Sequence, residues 1–214
     1  MKRYFSMILV LAVVACSSTY YDAMEKFGVY KRDILVDRVV ETRDAQNAAK
    51  KEFDSALMQF RSVVRFSGGD LEKEYKRLQN AYDRSQKAAD EVSQRIRSIE
   101  RVAQDLFREW QKELKLYENP MLREQSAAQL AQTQHEYRQL MQALKTVEAK
   151  MPPVLNVFRD QVLYLKHHLN AQAVSALHQE YRRIEYDVSQ LIAQINRSIN
   201  EANQFINKMK RAAS

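Results

Sequence analysis

Between Leu71 and Tyr117 apolar residues recur at alternating steps of three and four, through Leu71, Tyr75, Leu78, Tyr82, Ser85, Ala89, Val92, Ile96, Ile99, Ala103, Leu106, Trp110, Glu113 and Tyr117. Only Ser85 and Glu113 break the seam. A 3.5-residue period lays these positions along one stripe of a helix, and a stripe of that kind is stable only when other helices cover it. At 1.5 Å per residue, a helix over 71–117 is about 70 Å long. The pattern therefore predicts a rod.

The other segments carry seams of the same kind. Near the C-terminus it runs through Leu177, Tyr181, Ile184, Val188, Leu191, Ile195, Ser198, Ala202, Phe205 and Met209. Phe158, Val162, Leu165 and Leu169 lead into it through Ala173 by four-residue steps, which predicts a stutter. Leu130, Tyr137, Leu140, Met141, Leu144 and Val147 form a third seam, and Phe53, Ala56, Phe60 and Val63 a fourth. Three marks punctuate them: Ser67-Gly68-Gly69-Asp70, Glu118-Asn119-Pro120 and Met151-Pro152-Pro153. Asp70 and Asn119 suit helix N-caps, and Pro120 suits a first helical position. The expected helices cover about 22–66, 71–117, 120–150 and 153–211. Short turns between long helices favour antiparallel neighbours, so the fold class is all-α, an elongated antiparallel coiled coil or three- to four-helix bundle.

Composition agrees, with only three Gly and three Pro in 214 residues. The formal charge of +7 arises from 34 basic and 27 acidic residues interspersed along the chain, the pattern of a solvated helical face.

The first fifteen residues read as an export signal. Lys2 and Arg3 precede an apolar run from Met7 to Val14, which is far shorter than the ~20 residues that span a bilayer. Val13-Val14-Ala15-Cys16 then resembles the lipobox of bacterial lipoproteins. That resemblance implies cleavage between Ala15 and Cys16 and diacylglycerol on the Cys16 thiol, leaving 16–21 as a lipidated tether and 22–214 as the helical domain. Cys16 is the only cysteine of the chain, and lipidation accounts for a lone thiol in an exported protein. In two-membrane bacteria the residue after the cysteine directs sorting; Ser17, rather than Asp, implies the periplasmic face of the outer membrane.

From Phe27 to Phe60 the text FGVYKRDILVDRVVETRDAQNAAKKEFDSALMQF resembles the opening of a family of proteobacterial envelope proteins known only as a domain of unknown function. The resemblance extends over most of the mature chain, including SGGDLEKEY at the first turn. It implies no activity and no functional residues.

No catalytic constellation emerges. His135, His167, His168 and His178 lack the three- or four-residue spacing that sets two ligands on one helical face, so neither metal nor cofactor is expected. Asp33, Asp37, Glu41 and Asp44 alternate with Arg32, Arg38 and Arg43, as ion-pair ladders do. No Gly-x-x-x-x-Gly-Lys-Ser/Thr loop is present to cradle nucleotide phosphates. Basic pairs at Lys31-Arg32, Lys50-Lys51, Lys76-Arg77, Arg182-Arg183 and Lys208 to Arg211 offer contacts for anionic lipid or peptidoglycan, with solvated helix as the simpler reading.

One surface has more apolar residues than a narrow seam needs: Ile34, Leu35, Val36, Val39 and Val40. Packing against two helices at once explains it, and a partner-binding face is the alternative. The sequence thus points to a non-enzymatic lipoprotein, held on a membrane by its lipid, whose rod positions an envelope protein partner. A module binding anionic lipid or peptidoglycan is the competing expectation. Nucleic acid is not an expected partner, and the seams leave open closure within one chain or between copies in a homo-oligomer.

Overall fold

The structure, a computed structural model, describes residues 30–211. Four helices account for nearly all of them: α1 (Lys31–Val64), α2 (Leu71–Glu113), α3 (Pro120–His167) and α4 (Ala171–Arg211). Each packs on its chain neighbours, and α4 also packs on α1, which closes the four into a ring. Named contacts fix the directions. Lys31 meets Glu109 and Glu52 meets Arg84, so α1 and α2 are antiparallel; Arg43 meets Asn203 and Lys50 meets Asn196, so α1 and α4 are too. Glu100 meets Lys145 across α2 and α3, and Glu136 meets Lys208 across α3 and α4. The all-α class expected from the seams is the observed one, and the seams close within a single chain.

The helix starts follow their chemistry. Asp70 accepts a hydrogen bond from the Lys73 N–H at 3.1 Å, capping α2, after Gly68 and Gly69 turn the chain at φ 154° and 115°. Asn119 accepts from the Met121 and Leu122 N–H groups at 2.9 and 3.3 Å, with Pro120 in the first turn of α3.

The boundary expected at Met151-Pro152-Pro153 is absent, because α3 runs straight through it to His167. The two missing N–H groups strip donors from the carbonyls of Glu148 and Ala149. Both prolines and Ala149 lie on the exposed side and Glu148 is partly exposed, while Met151, Val154, Leu155 and Phe158 stay buried on the other. The break falls instead at His168–Asn170, where the Asn170 side chain accepts from the Ala173 N–H at 2.9 Å and starts α4. The expected stutter through Leu169 is thus a chain reversal, and Leu169 is exposed. Helix α2 stops at Glu113, four residues short of the expected end.

The core runs the length of the ring. At the end holding the 67–69 and 168–170 turns, Phe60 meets Phe158 edge-on and stacks on Tyr181, each at 6.2 Å between ring centroids. Midway, one polar pair interrupts the apolar layers: Gln46 Nε2 donates to Ser198 Oγ at 2.9 Å. Toward the other end Phe107 meets Tyr137 edge-on at 5.3 Å. Burial pushes the Tyr137 phenol up to about 12, and the Glu100 charge adds to the effect. Across the α1–α2 seam Glu41 accepts from Arg38 and Arg95 at 2.8 and 2.7 Å. Burial opposes ionisation of Glu41, but the two guanidiniums outweigh it and hold the carboxyl below its ordinary range.

Candidate functional site at the tip of the central hairpin

The residues expected to present a partner surface do not present one. Ile34, Leu35, Val36 and Val39 are buried, and Val40 packs partly buried against the same core. The physical reason is the ring: α1 has α2 on one side and α4 on the other, so its apolar stripe must be wide. Ala15 and Cys16 lie outside the described residues.

The basic pairs are largely engaged. Lys31 is buried and reaches Glu109 at 2.6 Å, Arg77 reaches Glu74 at 2.8 Å, and Lys76 pairs with Glu72. Lys208 reaches Glu136 at 3.3 Å, Arg183 reaches Glu180 at 3.9 Å, and Lys50 donates to Asn196 at 3.1 Å. Arg32, Arg38 and Arg43 pair with Asp33, Glu41 and Asp44, but of these only Arg38–Glu41 has the helical spacing of a ladder rung. All four histidines are exposed, and among the described residues no group of three His, Cys, Asp or Glu gathers in metal-binding geometry.

Large apolar residues left uncovered lie at both ends of the bundle, with Leu163, Tyr164 and Leu169 at one and a group of four at the other. Lys31, in the first turn of α1, is level with Glu109, and Lys208, in the last turn of α4, is level with Glu136. The end of α2, the 114–119 turn and the start of α3 therefore extend beyond both. On this hairpin tip Leu116 is 78% exposed, Met121 67%, Leu122 49% and Tyr117 39%. Trp110 stiffens its base by donating from Nε1 to Ser126 Oγ at 2.8 Å. Below the tip a cleft of about 370 Å³ lies between Tyr30 and Lys31 on one side and Leu106, Glu109 and Trp110 on the other. A second concavity of about 720 Å³ follows the hairpin itself, lined by Leu114, Lys115, Pro120 and Ala127.

Charges on the tip cancel. Lys112, Lys115 and Arg123 stand against Glu113, Glu118 and Glu124. Among the described residues no helix is long and apolar enough to cross a membrane.

Geometry alone names no activity for such a rod, and comparison with known proteins supplies a family. The model of a family described as "Protein of unknown function (DUF2959)" matches residues 20–209. The chain belongs to the DUF2959 family. No curated protein and no solved structure matches it. The DUF2959 match takes in α1, α2 and α3 entire and α4 to within two residues of its end, so all four helices of the ring fall within the matched region.

The tip was not singled out by periodicity. Tyr117 reads as the last position of the α2 seam, but the helix ends before it, and it is exposed beside Leu116. The signal that marks the tip is two apolar pairs, Leu116-Tyr117 and Met121-Leu122, flanking a Glu-Asn-Pro turn where a water-facing hairpin would be polar throughout.

Proposed function

We propose that this chain is an outer-membrane lipoprotein, acylated on Cys16, whose helical rod is a non-enzymatic structural element that positions a protein partner in the cell envelope. The observation that carries the reading is the closed ring. Its core is continuous over four helices of 34, 43, 48 and 41 residues, so force or position applied at one end is transmitted to the other. A stiff body joined to a lipidated N-terminus by a short run of residues is suited to holding something at a fixed height above a bilayer. Two or three acyl chains hold such a protein on a membrane essentially permanently, at about 0.8 kcal/mol per buried CH₂.

The competing reading, capture of anionic lipid or peptidoglycan through the basic pairs, loses support from their ion pairing with neighbouring carboxylates. Two measurements test the leading one. An alkyne fatty acid fed to expressing cells labels the wild-type chain and leaves Cys16→Ser unlabelled; equal labelling of both removes the anchor. Chemical crosslinking in intact cells, read by mass spectrometry, yields links from exposed lysines of the rod to another envelope protein. A rod linked only to itself overturns the positioning role.

A further inference from the structure

From the hairpin tip we infer a second point of contact between this chain and the bilayer: Leu116, Tyr117, Met121 and Leu122 enter the interfacial region of the membrane that holds the lipid anchor. The inference rests on the anchored reading above and adds an orientation to it, with the rod standing tip-down.

Three observations carry it. First, the tip and the start of α1 lie at the same end of the ring, with Lys31 level with Glu109. The chain ahead of Tyr30 thus departs from the end that bears the tip, and the fourteen residue-to-residue steps from Cys16 to Tyr30 span at most about 50 Å. The tip extends past Glu109 by roughly 6 Å of helix plus the turn, well inside that reach. Second, its chemistry suits the interface: two leucines and a methionine point outward beside Tyr117, with Trp110 behind them. Aromatic residues with one polar edge collect at that depth. Third, its charges cancel, so the contact is apolar and independent of lipid charge. The opposite end of the ring also exposes apolar residues, Leu163, Tyr164 and Leu169, but the chain to the anchor does not leave from there.

The test needs a reporter at each level of the rod. Trp110 is the only tryptophan, so Trp110→Phe combined with Tyr117→Trp places the sole indole on the tip, and Trp110→Phe with Tyr186→Trp places it on exposed α4, about 37 Å of helix from Arg211. Each full chain, purified from membranes, is reconstituted in phosphatidylcholine vesicles carrying brominated acyl chains. Quenching of the tip indole but not of the α4 indole, unchanged on adding anionic lipid or salt, is the expected result. Equal quenching at both positions, or none at position 117, overturns the inference. Because all four residues are exposed, Leu116→Asp with Leu122→Asp leaves helix content by circular dichroism unchanged and lowers vesicle binding of chain prepared with Cys16→Ser by roughly tenfold or more; undiminished binding overturns the inference as well. Intact mass of the wild-type chain reads the acyl groups on Cys16 separately, so loss of the anchor and loss of the tip contact are told apart.

Discussion

Gln46 and Ser198 stand 152 positions apart in sequence, yet they meet inside the bundle, where Gln46 Nε2 donates to Ser198 Oγ at 2.9 Å and neither side chain sees solvent. Gln46 Oε1 has no partner there. An amide half satisfied in a dry core is costly on its own terms, but it ties one level of α1 to one level of α4. Ser198→Ala is expected to destabilise the chain by about 1–3 kcal/mol, because it strands the remaining amide hydrogens. Adding Gln46→Met, which removes the amide altogether, should restore most or all of that loss. Urea midpoints of the wild type, both single variants and the double variant give the coupling; strict additivity would show that the pair does not act as a unit.

The proline pair in α3 is expected to cost stability. Pro152→Ala or Pro153→Ala restores an N–H to a helix interior, a gain of about 3 kcal/mol in host helices, less about 0.4–1 kcal/mol for the freer unfolded chain. Net stabilisation of roughly 2 kcal/mol for either change would appear as a higher urea midpoint. A lower midpoint would mean that the prolines serve the packing of Met151 and Val154 on the inner side.

Phe158 is fully buried and contacts Phe60 edge-on, so Phe158→Ala should cost about 3–5 kcal/mol. Leu163→Ala, at an exposed site five residues along the same helix, should stay within ~0.5 kcal/mol. Equal losses at the two sites would contradict the placement of α3's inner face.

Tyr137 gives the fold an alkaline limit. Its phenol ionises at about 12 in the native chain against 10 ordinarily, so between those values the unfolded chain sheds a proton that the native chain keeps. The contribution is fully present below pH 10 and disappears as pH rises toward 12. Stability measured against urea from pH 9 to 12 should fall more steeply for wild type than for Tyr137→Phe, and parallel curves would exclude the effect.

Seam positions were legible because a heptad stripe depends on spacing alone. Tyr75, Leu78, Ala89, Val92, Ile96, Ile99, Ala103 and Leu106 all lie in the core, as their period demands, and so do Ser85 and Ser198, polar residues that the pattern placed inside. Boundaries were legible where a side chain makes the cap, at Asp70 and Asn119. The third was misplaced because packing outweighs the cost of proline here: Met151, Val154, Leu155 and Phe158 bury the inner face of α3 while Pro152 and Pro153 face outward, and Asn170 carried the true signal. The surface at Ile34 to Val40 was ambiguous for a related reason. A wide apolar stripe on α1 is required by two neighbours, and sequence shows its width without showing how many helices share it.

The closed ring also restricts how this molecule can change size. Each seam meets two others layer by layer, so excising one heptad from α1 alone would throw everything beyond the cut out of step with α2 and α4. Matched excisions at one level of all four helices would preserve every layer and lower the rod by about 10 Å. The bundle behaves as a ruler graduated in heptads, which can be recut only at its marks.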